Sequence, residues 1–72
     1  MISNKHAAEK VAEMMFECTV KLDESIALVQ TSCSEEEFKV YRREAGNIMG
    51  LMWGVMNPLY KQYPELKPPQ LK

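Results

Sequence analysis

Apolar and small side chains recur at alternating steps of three and four residues in the first half of the chain. No glycine or proline interrupts residues 4–31. This rhythm is typical of one face of an amphipathic helix, because about 3.6 residues make one turn. We therefore predict a helix over residues 4–32, with Ser3 or Asn4 as its N-cap. The predicted buried face comprises Ala8, Val11, Met15, Cys18, Leu22, Ser25 and Val29.

The second half repeats this rhythm after a clear start signal. Ser34 and Glu37 have the spacing of a capping box, in which each side chain accepts a hydrogen bond from the other residue's backbone amide. We predict a second helix over residues 35–62, kinked near Pro58 because proline lacks the amide proton and crowds the preceding turn. An end at Met56 is the alternative. The predicted buried face comprises Phe38, Tyr41, Ala45, Ile48, Met52, Val55 and Leu59.

The connection between the two predicted helices is very short, so we expect them to lie antiparallel as neighbours. The predicted fold class is therefore all-α, a helical hairpin that forms one domain of residues 1–72. Prolines near the end of the sequence predict an extended tail over residues 63–72. We expect Leu66 and Leu71 to rest on the helices, or the last residues to fray.

The second helix is apolar on nearly all sides, since Asn47 is the single polar residue between Gly46 and Met56. A helix of this kind is normally buried all round, and one neighbouring helix covers only one stripe of it. We therefore predict a homodimeric four-helix bundle, with a tetramer as the other state that the pattern allows. The predicted oligomer interface comprises Gly46, Met49, Gly50, Trp53, Gly54 and Met56.

The three glycines of that interface are spaced four residues apart and leave a groove along one side of the helix. A second backbone can approach closely where side chains are missing. Each glycine costs about 1 kcal/mol relative to alanine inside a helix, so three of them require a reason. The other interpretation is that they only weaken the helix or make room for an aromatic side chain of the same chain.

Charge and hydropathy argue against two classes of partner. Nine basic and ten acidic residues in a chain of 72 give a formal charge of −1, which disfavours nucleic-acid binding. A small basic cluster at Lys39, Arg42 and Arg43 is flanked by glutamates and is typical of a salt-bridged surface. The uncharged stretch 45–60 would extend only about 24 Å as a helix, which is short of a membrane span. We expect a soluble, cytoplasmic protein that binds neither nucleic acid nor membrane.

Few residues could perform chemistry. His6 is the single histidine, and the glutamates near it fall mainly on the solvent side of the helix pattern, so we predict no metal site. Cys18 falls on the apolar face and is interpreted as a small core residue. Cys18 and Cys33 lie about 22 Å apart if both belong to the first helix, which is too far for a disulfide. We predict no catalytic residue and no cofactor, and we expect the protein not to be an enzyme.

Three short motifs in the second half carry a resemblance to other proteins. They are Gly46-x-x-x-Gly50, Asn57-Pro58-Leu59-Tyr60 and Pro64-Glu65-Leu66-Lys67-Pro68. In this part the chain resembles small uncharacterised bacterial helical proteins of similar length. The resemblance implies a bacterial, cytoplasmic source, and it implies neither an activity nor a site residue.

These features predict a homodimeric interaction or regulatory module that acts on an unknown protein partner through its helical surface. The alternative is a bundle that binds a small ligand or a metal ion in a pocket near Trp53 and Tyr60. Five methionines allow two interpretations, a plastic surface for a partner helix or the filling of a dimer core. They are Met14, Met15, Met49, Met52 and Met56.

Overall fold

Two long helices form most of the molecule. The computed structural model describes residues 1–68, in which α1 spans Lys5–Ser32, α2 spans Glu35–Gln62 and a 3₁₀ turn spans Pro64–Leu66. The two helices pack against each other as an antiparallel hairpin, and no strand occurs in the described residues. The all-α helical hairpin predicted from the sequence is therefore confirmed. The molecule is a rod of 44 × 19 × 19 Å.

Side-chain caps define where each helix begins. The Asn4 side chain accepts a hydrogen bond of 2.9 Å from the backbone N–H of Ala7, which satisfies one free amide in the first turn of α1. At the start of α2 the Ser34 hydroxyl accepts from the N–H of Glu37, and the Glu37 carboxylate accepts from the N–H of Ser34. The predicted capping box is present, and it starts a new helix immediately after α1 ends.

α2 continues through Pro58 and ends at Gln62. Proline donates no hydrogen bond, and its ring crowds the carbonyl four residues earlier, which belongs to Gly54. Because Gly54 has no side chain, the backbone there meets little resistance when it adjusts to the ring. The alternative end at Met56 is not the one that the structure shows.

The buried core lies at the end of the hairpin away from the connection between the helices. Met56 and Leu59 of α2 are fully buried against Ala8 and Ala12 of α1, and Tyr60 completes the cluster. The two alanines allow this packing because their small side chains let the helix backbones approach, while the larger side chains of α2 fill the remaining space.

The predicted buried faces are confirmed in part: Ala8, Ala45 and Leu59 are buried as predicted, and most of the other predicted positions are half buried. Cys18 is exposed, so its assignment to the core is wrong, and the adjacent Thr19 is buried instead. Burial of Thr19 leaves no unpaired hydroxyl, because its Oγ1 donates to the carbonyl of Phe16 at 2.7 Å. On α2, Ile48 is exposed whereas Met56 is buried. Each helix thus has two neighbouring apolar stripes, and only one of them faces the other helix.

The segment after α2 is folded back onto the hairpin, which corrects the predicted extended tail. Pro64–Leu66 forms a 3₁₀ turn, and Leu66 packs against the core, as expected for that residue. An ion pair of 2.8 Å between Lys5 and Glu65 joins the turn to the start of α1. Leu71 belongs to residues 69–72, which lie outside the described residues.

Side chains at the end of α2 also bind the first residues of the chain. Gln62 Nε2 donates to the carbonyl of Ile2 at 2.9 Å, and its Oε1 accepts from the nitrogen of Met1 at 2.9 Å. The Tyr63 hydroxyl donates to the same Ile2 carbonyl at 2.9 Å. These bonds close the end of the hairpin opposite the connection.

Candidate functional site

The structure divides the predicted oligomer interface into a core part and a surface part. Met56 is fully buried in the hairpin core, so its side chain belongs there rather than on the surface. Met49 and Trp53 are half buried, and Trp53 packs against that core. The three glycines of the set are exposed. The contact of this surface with a second helix stays a prediction.

Gly46, Gly50 and Gly54 border open space in the described hairpin. A methyl group added to any of them would meet no atom within 4 Å beyond its own stretch of helix. No aromatic side chain of residues 1–68 therefore occupies the room beside them. The interpretation that they accommodate such a side chain is wrong for this hairpin, and the two remaining interpretations are a weakened helix and a contact with another chain.

Trp53 and Tyr60, near which the alternative ligand pocket was expected, pack against each other. Their ring centroids are 6.4 Å apart and their planes are tilted by 60°. Tyr60 is buried, with its hydroxyl 3.8 Å from the sulfur of Met56. Burial raises the pKa of the Tyr60 phenol above its ordinary value. A depression of about 340 Å³ beside this residue is lined by Asn57, Tyr60, Lys61, Pro64 and Lys67.

An apolar groove opens along one side of the hairpin, about midway along the helices. Its volume is about 510 Å³. The Ser25 hydroxyl in this groove already has partners, because it donates to the carbonyl of Leu22 at 2.6 Å and lies 2.7 Å from the hydroxyl of Tyr41. A mainly apolar lining suits hydrophobic side chains better than a polar ligand. The lining consists of Glu17, Cys18, Lys21, Leu22 and Ser25 from α1 and Ile48 and Met52 from α2.

The groove is the centre of a larger surface, which we call the open face. A second series of three- and four-residue steps runs along each helix beside the buried stripe. Positions with this spacing share one side of a helix, so the two series form neighbouring rows. The row on α1 is Met14, Cys18, Lys21, Ser25 and Leu28, and the row on α2 is Tyr41, Glu44, Ile48, Leu51 and Val55.

Large apolar side chains on the open face are strongly exposed. Leu51 is 76% exposed, Leu28 65%, Met14 60% and Ile48 51%. A single exposed leucine on a protein surface needs no explanation, but several large exposed apolar side chains on the side of the hairpin that carries an apolar groove are typical of an interaction site. The open face is therefore the candidate functional site of the hairpin.

The open face is not among the sites predicted from the sequence, because Cys18 and Ile48 are expected in the core. A signal for it was nevertheless present. Met14 and Leu28 fall outside the predicted buried face of the first helix, as Leu51 does in the second. Their three- and four-residue spacing from Cys18, Lys21 and Ile48 identifies a second stripe on each helix.

The shifted pKa values of the acidic and basic side chains arise from contacts that hold the fold together. The backbone N–H and the hydroxyl of Ser34 both bond the Glu37 carboxylate and hold the pKa of Glu37 below its ordinary value. The hydrogen bond between Lys5 and Glu65 raises the pKa of Lys5 and lowers that of Glu65. Helix capping and an ion pair account for these shifts.

Groups that could bind metals or react as nucleophiles are dispersed. Within residues 1–68, no three side chains of His, Cys, Asp or Glu come together as a possible metal-binding group. His6 is exposed near the start of α1. Both cysteines are free thiols, Cys18 in the groove and Cys33 in the connection between the helices.

Comparisons with protein-family models, with curated proteins and with solved structures find no match for this chain. The resemblance of the second half to small bacterial helical proteins therefore stays a prediction. In the part of the chain that the structure describes, neither helix has both the length and the apolar character needed to cross a membrane.

Proposed function

We propose that the protein is a non-enzymatic interaction module that works as a homodimer, in which two hairpins pack through their open faces into a four-helix bundle. The observation that carries this proposal is the apolar groove between α1 and α2, next to which the Leu51 side chain is 76% exposed. Packing two open faces together removes both sets of apolar side chains from water. The outer helix faces of the bundle are then available to a protein partner.

The dimensions of the hairpin support the proposal. The whole side of the hairpin that carries the open face is 44 Å long and 19 Å wide. Its outline of about 800 Å² is the upper limit of what one copy can contribute, and it equals the area that each partner contributes to a standard interface. Burial of one large aliphatic side chain contributes about 2 kcal/mol. Burial of four such side chains on each copy is enough to offset much of the free-energy cost of the translational and rotational entropy that two chains lose on association.

The test is the molar mass in solution of the wild-type chain and two matched variants, measured by sedimentation equilibrium over a hundredfold dilution series. Leu51→Glu places a carboxylate on the open face, and we expect the dissociation constant of the dimer to rise at least about tenfold. Val20→Glu is the control. Val20 is 42% exposed, but it lies two residues after Cys18 and therefore about 200° around α1, so its substitution should leave the dimer intact.

Three other results would contradict the proposal. A wild-type chain that stays monomeric at millimolar concentration removes its basis. A dimer that is weakened by Val20→Glu and not by Leu51→Glu places the contact on the opposite side of the hairpin. A monomer that retains a small molecule or a metal ion in native mass spectrometry supports the ligand-binding alternative instead.

A further inference from the structure

We infer that the two copies pair side by side with their connections at the same end, so that Lys21 of each copy meets Glu44 of the other. This inference rests on the proposed function, because it describes how the second copy sits on the open face. It specifies which helix meets which, and it assigns Lys21 and Glu44, the charged residues of the two rows, the role of fixing the register.

The register within one hairpin is shown by the hydrogen bond of 2.7 Å between Ser25 and Tyr41, which face each other across the two helices. Both helices rise about 1.5 Å per residue. A residue of α1 and a residue of α2 whose numbers add up to about 66 therefore lie at the same position along the long axis of the hairpin, which we call their height. Lys21 and Glu44 share one height on this scale. Met14 and Leu51 share another, about two turns nearer the core.

Lys21 and Glu44 are the charged positions of the two rows that form the open face. Within the chain each has a partner on its own helix, since Lys21 lies 3.9 Å from Glu24 and Glu44 lies 3.5 Å from Arg43. These pairs are exposed and weak, so they can give way to a contact between chains. One polar residue in an apolar helical seam typically selects the register and orientation of the partner.

The position of the twofold axis decides which charges meet. An axis parallel to the helices places α1 of one copy over α2 of the other at the same heights as within the hairpin. Going round the bundle at the level of Lys21, lysine and glutamate then alternate, and every charge has opposite charges on both sides. At the level of Met14, the same axis brings Met14 over Leu51 of the second copy.

An axis perpendicular to the helices gives a worse match. It stacks α1 on α1 with the connections at opposite ends. If the axis passes at the level of Lys21, the two lysines face each other. If it passes midway between Glu17 and Lys21, those two groove residues pair between the copies, but the level of Met14 and Leu51 in one copy is then more than about 12 Å from the same level in the other. The charged and the apolar positions of the two copies therefore match together only when the connections lie at the same end.

The first experiment measures the distance between the two connections. In Cys18→Ser protein, a nitroxide on Cys33 reports this distance by pulsed electron paramagnetic resonance. Because the hairpin is 19 Å wide, copies with their connections at one end should give a distance of about 25 Å or less. The opposite orientation should give more than about 35 Å, because Cys33 lies twelve residues beyond Lys21 along the helix.

The second experiment reverses the charges. Lys21→Glu and Glu44→Lys should each weaken the dimer at least about tenfold by placing like charges together, and the double variant should recover the wild-type dissociation constant. Lys39→Glu is the matched control. It makes the same charge change on an exposed residue of α2, about 140° around the helix from Glu44, and should leave the dissociation constant unchanged.

The two experiments separate this inference from the proposed function. A distance above about 35 Å, or a double variant that fails to recover, overturns the inferred arrangement even if the wild-type mass is that of a dimer, and self-association through the open face then still holds. A wild-type chain that is monomeric overturns both.

Discussion

Ser34 and Glu37 stabilise the fold through hydrogen bonds that depend on the charge of one carboxylate. Glu37 Oε1 accepts from the backbone N–H of Ser34 at 3.1 Å and from its hydroxyl at 2.9 Å. Because these bonds favour the ionised form, the pKa of Glu37 is lowered in the folded state. The contribution to stability is therefore present above the ordinary glutamate pKa and is lost as the pH falls through the lowered folded-state value.

Replacing Glu37 by glutamine keeps an acceptor in the capping box and removes the group that titrates. We expect the free energy of unfolding of Glu37→Gln to fall less steeply than that of the wild type on acidification below about pH 4.5. Urea unfolding followed by circular dichroism between about pH 7 and pH 3 measures this slope. An equal change of slope in the control variant Glu36→Gln would show that the capping box is not the source of the pH dependence.

Ser34→Ala should lower the free energy of unfolding by about 1 kcal/mol at neutral pH, because it removes the hydroxyl that caps α2. The same urea unfolding measures this change.

At the scale of the helix, Gly50 lowers the stability of α2, and no close packing contact within one hairpin compensates for this cost. A Cβ at this position meets no atom within 4 Å, and the glycine has an ordinary helical φ. We expect Gly50→Ala to raise the free energy of unfolding by about 1 kcal/mol, since alanine has the higher helix propensity. Urea unfolding checks this value.

Gly50→Leu should leave the dissociation constant of the dimer unchanged if the open face is the interface. A weaker dimer would support the glycine surface predicted from the sequence.

The extent of each helix was predictable because its signals are local. The capping residues stand directly before the helices that they start. In the first helix, no proline or glycine interrupts residues 4–31. The buried stripe was not predictable in the same way. Ala12 and Thr19 are buried, whereas Val11 is half buried and Cys18 is exposed. Ala8, Ala45 and Leu59 are buried as predicted, but which side of each stripe the other helix covers depends on how the two helices pack together, which is a property of the pair.

The turn after α2 depends on contacts across the whole chain. Prolines alone predict extended backbone, but the 3₁₀ turn Pro64–Leu66 is held by the pairing of Glu65 with Lys5 and by the packing of Leu66 on the core. The candidate site has the same limitation. An excess of apolar residues was visible in the sequence, but its location on the open face follows only from which of these residues the hairpin leaves exposed.

In the whole molecule, the packed core and the exposed apolar surface lie in different places. The largest fully buried side chains, Met56 and Leu59, are at the end that the 3₁₀ turn closes, whereas the groove lies midway along the helices. A small domain has little stability in reserve, because few side chains contribute to a single core. The apolar rows of the open face are the part of the hairpin that a second copy would add to that core.

If a second copy covers the open face, the melting temperature of the protein should depend on protein concentration. When two folded chains dissociate as they unfold, mass action stabilises the folded state as concentration rises. For a dimer of this size, each tenfold increase should raise the Tm by about 3–5 °C. Circular dichroism melts over a hundredfold concentration range measure the effect, and Leu51→Glu should show little of it. A wild-type Tm that does not move over this range would mean that each hairpin unfolds as an independent chain, and that its exposed leucines and methionines are stable in water without a second copy.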